Sequence, residues 1–226
     1  MQLVFVVPVI YLLTATFIFF SIICSKTVEV NFDNKDKPTT GDIGEKMVAE
    51  ALDTIADEYG GYLYNNVCFK NKDGFSSEID HLLLTQGGLF VVETKNIVGH
   101  IRGKPADKKW SSVAGEDIIT FNNPLLQNQT HIKQLRLLLG QFSPRMMSLI
   151  VFPNKNSKIK RVRSSLVYDL QSMNDVICRL SNIHRYSKEQ VELYKSRIDY
   201  LLLMFGISRD GHLANIKNIF GISMYV

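Results

Sequence analysis

The chain has 226 residues, 46% of them apolar and 21% charged, with a formal net charge of +4. That length leaves room for one ordinary domain and an appendage but not for two large domains, and the apolar share is enough for a packed core. The charge permits a nucleic-acid partner without demanding one. The three widely spaced cysteines, Cys24, Cys68 and Cys178, imply no disulfide framework and fit a reducing compartment.

From Leu3 to Cys24 no side chain is charged, and roughly 20 such residues in a helix span a bilayer. Pro8 falls in the first turns, where it is tolerated. A cleaved signal peptide is the alternative, but no Lys or Arg precedes the run, and the run is long for the apolar part of such a peptide. Residues 1–25 are therefore expected to form one N-terminal transmembrane anchor, with lipid around residues 3–24. Lys26, Lys35 and Lys37 follow the run and none precedes it. The positive-inside rule then places the rest of this single-pass membrane protein in the cytoplasm. Residues 26–40 read as a polar tether.

The domain is expected to start at Gly41. Val48, Ala51, Leu52, Ile55 and Tyr59 recur at the three-four spacing of one helix face, so Asp42 to Tyr59 is predicted helical, capped by Asp42 and ended by Gly60-Gly61. Tyr62 to Phe69 is predicted to be a strand. The apolar runs Ile79–Thr85 and Leu89–Lys95 flank Gln86-Gly87-Gly88, a hairpin signal, and their near-continuous apolarity predicts cover on both faces of the sheet. Asn123-Pro124 opens a second helix running to Leu139 before Gly140, and Met147 to Phe152 is a further strand. This order implies an α/β fold with a mixed sheet between helices. Residues 154–226 read as a basic and helical extension of the domain at 41–153. They hold the basic run Lys155 to Arg163, a short strand at Leu166–Tyr168, and a helix at Ser187–Phe205 whose Ser187 and Gln190 have capping-box spacing. No element is assigned to the tail from Gly211.

Three segments carry chemistry: Gly44-Glu45, Glu78-Ile79-Asp80-His81 and Glu93-Thr94-Lys95. A two-residue hairpin loop puts Asp80 opposite Glu93 if it is Gln86-Gly87, or opposite Lys95 if it is Gly87-Gly88. In both cases Asp80, Glu93 and Lys95 share one sheet face. Glu45 lies on the core-facing stripe of its helix. Carboxylates gathered beside a lysine suit phosphodiester hydrolysis: hard oxygens hold Mg²⁺, and a lysine stabilises developing charge. The plainer alternatives are a capping box for Asp42 and Glu45, and a structural ion pair for Asp80 and Lys95. Trp110 reads as a packing residue. No histidine spacing suits zinc.

The series Gly44-Glu45, Glu78-Ile79-Asp80-His81, Gly88-Leu89-Phe90-Val91-Val92-Glu93-Thr94-Lys95-Asn96, Gly99-His100-Ile101-Arg102-Gly103, Trp110, and Asn123-Pro124-Leu125-Leu126-Gln127 with His131 resembles the NERD, or nuclease-related, domain. The resemblance covers about Gly41 to Gly140. It implies membership of the PD-(D/E)xK nuclease superfamily and a restriction-endonuclease-like αβββαβ core. It further implies Mg²⁺-dependent (or Mn²⁺-dependent) cleavage of DNA in DNA processing, with Asp80 and Glu93 as metal ligands, Glu45 as a supplementary one and Lys95 as the catalytic lysine. Gln127 is carried over to the catalytic set. His131 stands where superfamily members of the RecB type have Tyr. A nucleic-acid contact is expected from His131, Lys155, Lys158, Lys160, Arg161 and Arg163. The alternatives are a catalytically silent nucleic-acid-binding module and a membrane-associated scaffold.

Overall fold

The computed structural model describes residues 38–70, 74–159, 162 and 164–220, and those from Pro38 onward belong to one compact unit. The expected anchor and tether before Pro38, the residues Lys160, Arg161 and Arg163, and the last six residues lie outside the described residues. Among the described residues, no helix is long and apolar enough to cross a membrane.

The first helix, α1 (Thr40–Tyr59), begins two residues before the expected Asp42, because its cap is Thr39. The Thr39 hydroxyl accepts from the Asp42 amide at 3.2 Å, and the Asp42 carboxylate accepts from the Thr39 amide at 2.9 Å. This reciprocal box satisfies two amides that have no partner inside the helix. It also makes Asp42 the third residue of the box rather than the cap, which leaves Glu45 outside it. Val48, Leu52 and Ile55 form the buried stripe, and Gly60, left-handed at φ 57°, stops the helix.

Three antiparallel strands follow: β1 (Tyr62–Lys70), β2 (Ser76–Thr85) and β3 (Gly88–Thr94). Thr85 pairs with Gly88, so the β2–β3 turn is the two-residue Gln86-Gly87. The chain then builds a small sheet from β4 (Gly99–Arg102), β5 (Lys109–Ala114) and β6 (Asp117–Asn122). Helix α2 (Pro124–Leu139) has Asn123 as cap, Pro124 in its first turn and Gly140 after its end. A 3-10 turn (Gly140–Phe142) leads to β7 (Met146–Phe152). The extension supplies β8 (Ser157–Lys158), β9 (Val167–Asp169), α3 (Leu170–Ser181), α4 (Lys188–Phe205) and α5 (Arg209–Phe220). Ser187 caps α4 with Gln190 as its box partner.

The large sheet has the order β1-β2-β3-β7-β9, with β7 parallel to both β3 and β9. The small sheet has the order β6-β5-β4-β8. The mixed sheet between helices and the αβββαβ order are thus present, with β4, β5 and β6 inserted before α2. On one face Leu82, Leu84, Leu89 and Val91 pack with Leu135 of α2 and Ile198 and Leu201 of α4. On the other, Leu83, Phe90, Val92 and Leu149 pack with Leu52 of α1 and Ile177 of α3. Every residue of β3 is buried, as its unbroken apolarity requires. Each large apolar side chain so enclosed contributes about 1.5–3 kcal/mol.

One irregularity in this sheet bears on the site. Tyr62, Tyr64, Leu82 and Leu84 share a core with Val67, Phe69 and Ile79, so the in-out alternation of β1 and β2 slips by one along their length. The slip falls where Asn66 has φ 52°. The flanking pairs Asn65↔His81 and Val67↔Ile79 put Asn66 across from Asp80.

Candidate active site

Pairing between β2 and β3 ends at His81↔Val92, and continuing that register sets Asp80 opposite Glu93. There the strands part. The Thr94 amide donates at 2.7 Å to the Asp80 carboxylate instead of to a strand carbonyl. β3 keeps its other neighbour, since the Lys95 amide donates to the Val151 carbonyl at 2.8 Å. The opening between the two strands is thus filled by an acidic side chain. Of the two registers open from the sequence, the Gln86-Gly87 loop is the one present, and it places Asp80 and Glu93 side by side.

The electrostatics follow from burial. The Glu93 side chain is 1% exposed, with Lys95 Nζ 2.7 Å from its Oε1. Its Oε2 has no hydrogen-bond partner. His131 Nε2 of α2 lies 3.6 Å from that oxygen, close enough for an ion pair when the ring is protonated but too long for a hydrogen bond. Burial pushes the Glu93 carboxyl up, but His131 and Lys95 outweigh it and leave the group below the ordinary carboxylate range. Asp80 has the opposite balance. Burial first, then the charge of Glu93, hold its carboxyl well above the ordinary range, against the Thr94 amide. Burial would lower Lys95, but Glu93, Asp80 and Glu45 together hold it above its usual value.

Glu45 approaches from the other side of the sheet. The Thr40 carbonyl at the start of α1 accepts from Asn96 Nδ2 at 2.7 Å, which pins that helix end beside the end of β3. A Cβ on Gly44 would overlap Asn96 Cβ, so the glycine of the Gly44-Glu45 pair is needed for this close approach. Burial raises the Glu45 carboxyl, and Glu78, Asp42 and Glu93 add to the rise. Glu45 is also one of three acids around Arg209 of α5. The guanidinium lies 3.7 Å from Glu45, 3.5 Å from Asp42 and 2.8 Å from Glu78. His212, one turn later, places Nε2 3.8 Å from Glu78 and Nδ1 2.7 Å from the Ser76 hydroxyl. Arg209, Glu78 and His212 were not among the residues expected from sequence. Only the Glu78 of the Glu-Ile-Asp-His motif carried a signal; Arg209 comes from an element with none.

The remaining expected residues sort by position. Gln127 is half-buried on α2, one turn before His131, and its side chain makes no hydrogen bond to Glu93, Lys95 or His131. Its neighbour Asn128 is fully buried and donates to the Val91 carbonyl at 2.8 Å and to Ser148 Oγ at 2.9 Å, locking α2 onto the sheet. His81 is buried, bonded through Nδ1 to Asn65 Oδ1 at 2.8 Å, and desolvation pulls its pKa down to about 4. It is therefore neutral at physiological pH. Lys155 and Lys158 are exposed, on the loop after β7 and on β8. Trp110 is 2% exposed, packs edge-on against Phe121 and donates to the Lys104 carbonyl at 3.0 Å, which is a packing role. A cleft of about 580 Å³ opens at the other end of the sheet, beside Tyr59, Gln86 and His184, and has no part in this group.

The residues at the strand opening fit a divalent cation. A buried carboxylate oxygen without a partner, beside a second carboxyl whose pKa is raised by burial and by its neighbour's charge, is a site short of positive charge. Among the described residues no three His, Cys, Asp or Glu side chains converge as a ready cage. Mg²⁺ needs none, since one or two carboxylates with waters and substrate oxygens usually hold it. Asp80 and Glu93 supply that pair. Glu45 is electrostatically coupled to it and turned toward Arg209.

Comparison with known proteins agrees with this geometry. The model of the nuclease-related domain, NERD, matches residues 40–153. An uncharacterized protein of Bacillus anthracis is 36% identical over 122 residues, which is 54% of this chain and 56% of that protein. The chain thus spans about half the length of that relative. No solved structure matches. The matched stretch contains α1, the β1–β3 meander, α2 and β7, and with them every acid at the strand opening: this chain belongs to the nuclease-related-domain (NERD) family.

Proposed function

We propose that the protein is a metal-dependent phosphodiesterase acting on DNA, tethered to a membrane by its apolar segment 3–24 with the domain on the cytoplasmic side. The observation that carries the reading is the meeting of Asp80, Glu93 and Lys95 where β2 and β3 part, with Glu93 Oε2 unpartnered. Asp80 and Glu93 would hold Mg²⁺ or Mn²⁺, with Glu45 behind them. Such an ion polarises a phosphate and makes a bound water more acidic. Lys95, kept protonated by the surrounding acids, is placed to neutralise charge developing on a phosphoryl oxygen. His131 Nε2 stands 3.6 Å from the second oxygen of Glu93. Neutral His81 closes the inner wall through Asn65 and brings no charge.

The test uses the full chain with labelled single- and double-stranded DNA in Mg²⁺, Mn²⁺ or EDTA. Metal-dependent cleavage is expected, abolished by Asp80→Asn and lowered about 10²–10³-fold by Lys95→Ala, the usual loss for one group that stabilises transition-state charge. A folded wild type that cleaves no DNA with either metal sinks the proposal. Salt-sensitive binding without cleavage would then leave a silent nucleic-acid-binding module.

A further inference from the structure

A second cleft, of about 520 Å³, lies between α1, the segment after β7 and the first turns of α3. Its volume is within the roughly 300–1,000 Å³ of small-ligand pockets. It is linked to the end of β3 through one contact. Asn154 in its rim donates at 3.1 Å to Asn96, the residue after Lys95.

The lining is mixed in a particular way. Met47, Ile159 and Leu170 give an apolar surface, and Lys155 and Lys158 stand exposed at the rim. Asn174 of α3 lines the wall, and its Oδ1 is turned away from solvent and has no hydrogen-bond partner. Asp169, also in the lining, is committed to capping α3 through the Ser172 amide at 2.8 Å. An apolar slot with an unanswered amide inside and two cations at its mouth matches a flat heteroaromatic ring that carries polar edges and an attached phosphate. Turning the amide about its broad two-fold terminal torsion brings either end to such a ring.

We propose that this cleft is a subsite for one unpaired nucleobase of a nucleic-acid strand whose backbone continues into the Asp80–Glu93 opening. This rests on the nuclease reading above and narrows its substrate to strands with an unpaired base beside the cleaved bond. The base lies against Met47, Ile159 and Leu170, its edge meets the Asn174 amide, and its flanking phosphates meet Lys155 and Lys158. A base held in a duplex is stacked on both sides and does not enter.

The test measures binding of a labelled single strand and of the matching duplex to the full chain in EDTA, which prevents cleavage. Asn174→Leu is expected to weaken the single strand about tenfold, the effect of leaving a hydrogen-bonding edge unanswered, and to leave the duplex unchanged. Lys155→Ala with Lys158→Ala is expected to lower the salt slope of single-strand binding by about 1.4, about 0.7 per phosphate contact. A strand carrying a photoreactive pyrimidine, cross-linked to wild type, is expected to label Met47, Ile159 or Leu170, which tests the subsite even if Asn174→Leu misfolds. Equal single-strand binding by folded Asn174→Leu, cross-links confined elsewhere, or no strand binding at all overturns the subsite. Each of these results can accompany Mg²⁺-dependent cleavage that Asp80→Asn abolishes, so the subsite fails or stands separately from the nuclease reading.

Discussion

Substituting Gly44 by Ala sets two opposed effects against each other. In a helix interior Ala is favoured over Gly by about 0.8–1.0 kcal/mol, so in open space the change would stabilise α1. Here the new Cβ would overlap Asn96 Cβ and lie 3.0 Å from its Cγ and 3.3 Å from its Nδ2. The overlap is with the root of the side chain, which cannot swing aside. Asn96 is also tied at both ends, donating to Thr40 at 2.7 Å and accepting from Asn154 at 3.1 Å. Relief means shifting α1 off the sheet, where Val48 and Leu52 are fully buried, or losing both hydrogen bonds. Overpacking costs about 1–3 kcal/mol, and two bonds about 0.5–1.5 kcal/mol each. The clash therefore exceeds the propensity gain by about 1 kcal/mol, a fall in Tm of about 2–4 °C for a chain of this size. Thermal unfolding of wild type, Gly44→Ala, Asn96→Gly and the double variant measures it, the double variant because Asn96→Gly removes the atom in the way. In the Asn96→Gly background Gly44→Ala is expected to stabilise. A raised Tm for Gly44→Ala alone, or no change of sign in that background, refutes the reasoning. Because Asn96 follows Lys95 directly, cleavage is expected to fall further than stability.

Three other substitutions test separate parts of the structure. Asp80→Asn keeps an acceptor for the Thr94 amide and removes the charge. The Asp80 carboxyl titrates higher in the folded protein than the unfolded value of about 3.9, so the wild type is most stable below that value and loses stability as pH rises through the folded one. The Tm of Asp80→Asn at neutral pH should exceed that of wild type in EDTA. That gap should close near the unfolded value, and Mg²⁺ should raise Tm in wild type only. Arg209→Gln frees Asp42, Glu45 and Glu78 from their shared cation. With the guanidinium half exposed, the loss is about 1 kcal/mol or less, shrinks in about 1 M salt, and shows as faster proteolysis within α5. Gly103→Ala drives a Cβ into the Trp110 indole, costing about 1–3 kcal/mol. Trp110 is the sole tryptophan, so its fluorescence should report loss of the small sheet at a lower denaturant concentration than the far-ultraviolet signal of the whole chain.

The elements legible in the sequence are those whose periodicity is set by one buried face or two. The α1 stripe, the apolar β2 and β3 runs and the Asn123-Pro124 start of α2 all carry their own local signals, and each forms within one to three residues of the expected ends. The small sheet was not read. Its edge strand β6 exposes Ile118 and Ile119, so apolar residues there do not mark a buried face. Ile101, Trp110 and the half-buried Phe121 anchor the small sheet to the core, beside Ile150 and Phe152. Helix α3 was missed for another reason. Its apolar stripe of Leu170, Met173, Ile177 and Leu180 keeps three-four spacing, but Asp169 with Ser172 forms a box that lacks the usual Glu or Gln, so no start signal marks it. Among its described side chains, helix α5 is held chiefly by polar groups. Asn215 donates to the Gly74 carbonyl at 3.0 Å and to the Ser76 hydroxyl at 2.9 Å, and such contacts leave no apolar pattern to count.

The same distinction explains which part of the site was visible. Asp80, Glu93 and Lys95 stand out because charge at the end of an apolar hairpin violates the pattern that builds the hairpin, and such violations concentrate where function competes with stability. The structure gives that violation a physical form. The register sets two carboxyls opposite each other, and a residue in the left-handed region bends the neighbouring strand at that level. One of the two is left with a raised pKa and the other with an unanswered oxygen. What was invisible is everything that arrives from a distance. Arg209 reaches Glu45 from 164 positions further along the chain, and Asn154 reaches Asn96 across 58. Neither belongs to a motif, because each is selected by where its element packs. The acids at the strand opening are thus read from local pattern, while the cation that restrains Glu45 belongs to α5, beyond the segment that defines the family. Chains that share residues 40–153 but end differently are accordingly expected to keep Asp80 and Glu93 in register and to differ in what faces Glu45.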